Sequence, residues 1–108
     1  MWNARFVWLQ TGISIRHADT VDVKFQLSEG GRSFFRVVAM NHPDLLSVAK
    51  KMGRPLTDPW CSRLAALHIR HMIETGEDME KTLVTISAEQ LERHAATLKE
   101  LEPAGARA

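Results

Sequence analysis

Two histidines three residues apart, His68 and His71 in AALHIRHMIETG, come nearest to chemistry of anything in this chain. On one helix face such a pair can share a transition metal, or one ring can act as a general base. Local spacing removes the sharper versions. HIRH lacks the glutamate of the H-E-x-x-H zinc motif, and no second ligand cluster accompanies it. His17, His42 and His94 could contribute only through the fold. Cys61 precedes His68 by seven residues. That is roughly 10 Å along a helix rising about 1.5 Å per residue, whereas a thiol–imidazole pair needs about 3 Å. A single cysteine also excludes an intramolecular disulfide and a cysteine-based zinc knuckle. The sequence therefore assigns no catalytic residue, no metal ligand set and no cofactor.

The helix that must carry these histidines is DPWCSRLAALHIRHMIETG, opened by Asp58 as cap and Pro59, and closed by Gly76. At about 100° per residue, apolar side chains from Trp60 to Ile73 cover more than half its circumference, with His68 near the middle of the arc. Arg63, Arg70 and Glu74 cluster opposite, and Arg70 and Glu74 stand at pairing distance. The expectation is two neutral, hydrogen-bonded histidines in a packed face or beside a cleft. His68 is the more buried of the two, and His71 is the one that reaches a cleft or a second subunit. His68, His71, Trp60 and Met72 are the candidate ligand-binding residues, with a small apolar ligand as candidate occupant.

Three tryptophans, Trp2, Trp8 and Trp60, read as core or interface anchors. Leu91, Ala95, Leu98 and Leu101 make a short helical seam with His94 on its flank, a docking face rather than an extended coiled coil.

The remaining elements read as sheet and helix in order. RFVWL and ISI suggest an edge strand interrupted at Thr11-Gly12. VDVKFQLS alternates cleanly, Gly30-Gly31 supplies a tight turn, and SFFRVVAM returns. A two-residue turn pairs Leu27 with Phe34, Phe25 with Arg36, Val23 with Val38 and Val21 with Met40. A three-residue loop would invert the second arm and set Lys24, Arg32 and Arg36 on one face. The first register is preferred. In either register both faces keep large apolar residues, so the sheet is expected to be covered on both sides, one of them by another subunit. KTLVTI reads as a further strand, and Ser87 with Gln90 forms a capping box for a last helix. The expected fold is α+β: an antiparallel sheet of three to four strands around a hairpin at 20–40, with helices at about 43–52, 59–75 and 88–101 packed on it. One domain spans 1–102, and 103–108 form a flexible tail.

Composition bounds function weakly. The 108 residues are 44% apolar and 25% charged with net charge +1, so no global field draws the chain to nucleic acid or membrane. Charge is uneven: eight Lys/Arg against four Asp/Glu in residues 1–56, and six against nine in 57–108. Ala49 and Gly53 in LLSVAKKMGRPLTDPWCSRL outline a helix-turn-helix, but the linker is long and the second helix apolar, unlike a reading helix. No window reaches the ~20 apolar residues of a membrane span or the form of a signal peptide, and the expected location is cytoplasmic. The sequence reading is a small non-catalytic binding protein acting as a homodimer. A nucleic-acid-binding regulator using Lys24, Arg32, Arg36 and Arg16 is the second reading. An enzyme with a histidine base is the third.

Overall fold

The computed structural model describes residues 3–12 and 19–101. The chain runs β1 (Asn3–Gly12), β2 (Thr20–Glu29), β3 (Arg32–Asn41), α1 (His42–Met52), α2 (Asp58–Thr75), β4 (Leu83–Ile86) and α3 (Ala88–Leu101). The strands form one open sheet in the order β1-β2-β3-β4. The first two pairings are antiparallel, while β4 returns parallel to β3 after the two-helix crossover. This is the α+β fold expected, with a parallel pair that the strand pattern alone did not reveal. Trp2, residues 13–15, Arg16, His17 and the 103–108 tail lie outside the described residues.

Turn chemistry fixes the hairpin. Gly30 and Gly31 take φ of 59° and 80°, the left-handed pair that a two-residue turn between twisted strands requires. The resulting register faces Leu27 to Phe34, Phe25 to Arg36, Val23 to Val38 and Val21 to Met40. β1 runs through Thr11 and ends at Gly12, and the ISI stretch beyond the expected interruption lies outside the described residues. An irregularity sits earlier, between Phe6 and Trp8, where Val7 is an extra residue opposite β2. Val7 leaves no trace in sequence pattern because FVWL is apolar throughout.

Cap chemistry fixes the helices. Asn41 accepts from the Asp44 amide at the start of α1, and Gly53 closes it at φ 65°. At α2 the cap is Thr57, whose Oγ1 accepts from the Trp60 amide at 3.4 Å. This corrects the expectation that Asp58 caps the helix: Asp58 is the first helical residue, where its charge faces the positive dipole end. Ser87 and Gln90 form the expected reciprocal box, with Gln90 N donating to Ser87 Oγ at 3.2 Å and Ser87 N to Gln90 Oε1 at 3.1 Å. Arg70 and Glu74 pair across one turn at 3.7 Å.

One core joins the layers. Val21, Val23, Phe25, Leu27, Val38, Met40, Val84 and Ile86 point from the sheet into Leu45, Val48, Trp60, Cys61, Leu64, Ile69, Met72 and Leu91 of the helices. Within the chain the helices cover a single face of the sheet. All three helices lie on this one face, and the other, carrying Trp8, Lys24, Gln26, Phe35, Val37, Leu83 and Thr85, has no helix over it among the described residues. With the three helices of the described residues all on one side, Phe35 and Leu83 on the second face stay exposed. No helix among the described residues is long and apolar enough to cross a membrane.

Candidate functional site

The two histidines of α2 meet a third from α3. Leu91 and Ala95 dock α3 onto the other helices, and that seam brings His94 over the middle of α2. His68 Nδ1 and His94 Nε2 lie 3.1 Å apart and share a hydrogen bond, one ring donating and the other accepting. The His71 ring stacks near His68, with centroids 5.8 Å apart, and lies 6.3 Å from His94. His71 Nε2 is in turn 3.1 Å from Glu77 Oε2 in the connection leading to β4. Three imidazoles therefore form one chain between two helices, ending on a carboxylate.

Burial separates their roles. His68 is 2% exposed and its partner is another ring. Burial holds its pKa below the usual histidine range, and the neighbouring His71 lowers it further, against the pull of Glu77 and Asp78. His94 is pushed down to about 4, first by burial and then by His68, His71 and Arg93. At neutral pH both rings of the hydrogen-bonded pair are uncharged. Cys61 is likewise silent: burial, with the Asp58 carboxylate nearby, raises its thiol to about 11, too high for a nucleophile. Among the described residues, no group of three His, Cys, Asp or Glu side chains is placed to hold a metal ion.

Beside this chain α2 and α3 part to leave a recess of about 180 Å³, lined by His71, Gln90, Arg93, His94 and Thr97. Glu77 can fix the proton of His71 on Nε2 and leave Nδ1 as an acceptor, the orientation of a general base. No nucleophile stands with it among the lining residues, since the Thr97 hydroxyl donates to the Arg93 carbonyl at 3.1 Å. The arrangement is equipped to recognise a ligand rather than to break a bond.

The sequence-predicted residues scatter across the molecule. His71 lines the recess, and His68 stands behind it through His94. Trp60 and Met72, 1% and 0% exposed, belong to the core and do not line it. Each of the five lining side chains carries a polar group, and their hydrocarbon parts supply the rest of the wall. Gln90 was expected only as a cap, and Arg93 and Thr97 were not singled out in sequence, yet with His94 they recur at helical spacing as a polar stripe beside the Leu91–Ala95–Leu98 seam.

The basic set also comes apart. Lys24 lies on the open face, its ammonium 4.4 Å from the Phe35 ring centroid and 5.7 Å from that of Trp8. Arg36, opposite Phe25, points to the helix side. It stacks over Phe34, and its Nε and Nη2 donate to the Met79 carbonyl at 3.0 and 2.5 Å. Arg32 is exposed at the hairpin end opposite Glu29, and Arg16 is outside the described residues. The two-residue turn therefore precludes the shared face of Lys24 and Arg36 on which the nucleic-acid set was built. No known protein family, curated protein or solved structure matches this chain.

Proposed function

We propose that the protein acts by binding, as a homodimer joined through its open sheet face, with the recess between α2 and α3 left free for a small ligand. The observation that carries this reading is the one-sided placement of the helices. Phe35 and Leu83 remain 45% and 58% exposed on a face that also carries Trp8 and Val37. A sheet face this apolar normally has a second layer. Lys24 and Asp22, two residues apart on the same strand and the same face, favour a second copy as that layer. Across a two-fold axis Lys24 of each copy can face Asp22 of the other. Light scattering on the eluting protein tests the dimer. The expected mass is about twice the 12.2 kDa chain, and Leu83→Lys returns it to one chain without loss of fold. A monomer at high micromolar concentration overturns the reading.

One observation favours a second reading. Trp8 and Phe35 flank Lys24 on the open face, and the Arg5 guanidinium stands beside them, held by Gln26 at 2.7 Å. Aromatic rings with cations on a sheet suit successive bases of single-stranded nucleic acid. Mixed-sequence oligonucleotides that quench tryptophan fluorescence with a steep salt dependence would promote it over the dimer.

A further inference from the structure

We infer that the recess between α2 and α3 is a seat for a small oxyanion, a phosphate-type or carboxylate-type group, gripped by Arg93 and His94. This names the ligand class of the recess in the proposed function and depends on that part of it alone, not on the dimer.

Three features of the recess point to an anion. None of its five lining side chains is acidic. Glu77 stands behind His71, engaged with its Nε2, rather than in the wall. Arg93 has no carboxylate partner among the described residues, so its charge is left to face the recess it lines, unlike Lys51, Arg70 and Lys81, which pair with Glu92, Glu74 and Asp78. The remaining donors are also free. Gln90 spends its Oε1 on the Ser87 amide and hydroxyl, which leaves its NH2 group for a ligand. His94 commits Nε2 to His68, which leaves Nδ1. A volume of about 180 Å³ is well above the roughly 10–15 Å³ a single water needs.

The histidine chain couples this seat to protons. His94 resists protonation because it is buried and because Arg93, His68 and His71 would repel its charge. From the α2 side it faces His68 and His71, with Glu77 and Asp78 beyond them in the connection to β4. On its own helix it neighbours Arg93, and the Lys51–Glu92 pair ties that helix to α1. An anion against Arg93 cancels the cationic repulsion and adds an attraction, so the imidazolium becomes the favoured form. His94 then donates Nε2–H to His68, whose Nδ1 accepts, and offers Nδ1–H to the anion. Binding takes up a proton, and affinity rises as pH falls.

Calorimetric titration of the intact chain with sulfate and, separately, formate tests this, because both anions stay ionised at about pH 5.5 and about pH 7.5, the two conditions compared at matched chloride. The expected result is one saturable site per chain, several-fold tighter at the lower pH. The heat should vary with the ionisation enthalpy of the buffer, as proton uptake requires. Preference for sulfate or formate identifies the seat as phosphate-type or carboxylate-type. Arg93→Gln, on an exposed position that leaves the thermal transition in place, should weaken binding by about tenfold, the loss of one charge-assisted contact. Absence of saturation below about 10 mM for both anions, unchanged affinity in Arg93→Gln, or affinity independent of pH would each overturn the assignment. None of these outcomes bears on the mass measurement that tests the dimer.

Discussion

His68 and His94, on different helices and 26 residues apart, satisfy one another through a single 3.1 Å hydrogen bond between ring nitrogens. Because the bond is neutral and its His68 end is buried, removing His94 alone costs more than removing both rings. His94→Leu leaves the buried Nδ1 of His68 unsatisfied, at about 1–3 kcal/mol, and His68→Leu strands the part-buried Nε2 of His94 at a smaller cost. The double variant restores an apolar seam and should recover most of that loss. Urea unfolding of the four proteins measures it; additive losses would show that the rings do not depend on each other.

Acid should weaken the fold through the same pair. The folded-state pKa values of His68 and His94 lie below the ordinary 6.5, that of His94 at about 4. The unfolded chain therefore binds more protons in this range, and stability is complete above about pH 6.5 and declines as pH falls towards 4. His94, half open to the recess, should contribute about 1–2 kcal/mol of that decline. Thermal melts across this range should show a decline that is largely abolished when both histidines are leucine.

At the start of α2 two neighbouring residues separate by role. Thr57 accepts the Trp60 amide and Asp58 does not. Thr57→Ala should cost about 1 kcal/mol, whereas Asp58→Ala should lose only the dipole interaction, about 0.3–1 kcal/mol. Equal losses in chemical denaturation, or a larger one for Asp58→Ala, would contradict the geometry.

Cys61 is buried in α2 with its thiol raised to about 11. A disulfide reagent should modify it slowly in the native protein and at once in denaturant. Fast native reaction would mean that the long helix opens readily.

Most of the fold was legible because its signals are local. Gly30-Gly31 specify a two-residue turn, and alternation from Val21 to Leu27 then fixes the register. Helix boundaries followed from Pro43, Pro59, Gly53, Gly76 and the Ser87–Gln90 box. Thr57 and Asp58 are both good caps, and sequence offers little to rank them. The parallel return of β4 depends on the path of a long crossover, which no short pattern encodes. The site was legible by half. Helical spacing identified His68 and His71, but their third partner is supplied by packing. His94 carries no local mark that ties it to α2, and Arg93 looks like any solvated charge until the helices meet.

The extra residue in β1 has a further consequence. Up to Phe6 the even positions of β1 share the face of Phe25 and Leu27; beyond Val7 the odd ones do, and Leu9 stands opposite Val23. Val7 thus inverts the parity of the strand, and it is what turns Trp8 outward to lie beside Lys24. Regular pairing from Phe6 onward with Val7 kept would set Val7 opposite Lys24 and Trp8 opposite Val23, sending Trp8 inward and Leu9 outward, whereas deletion of Val7 would leave Trp8 opposite Lys24 and Leu9 opposite Val23. Straightening the strand would thus act as a substitution at every later position, while losing one residue there would act on none of them.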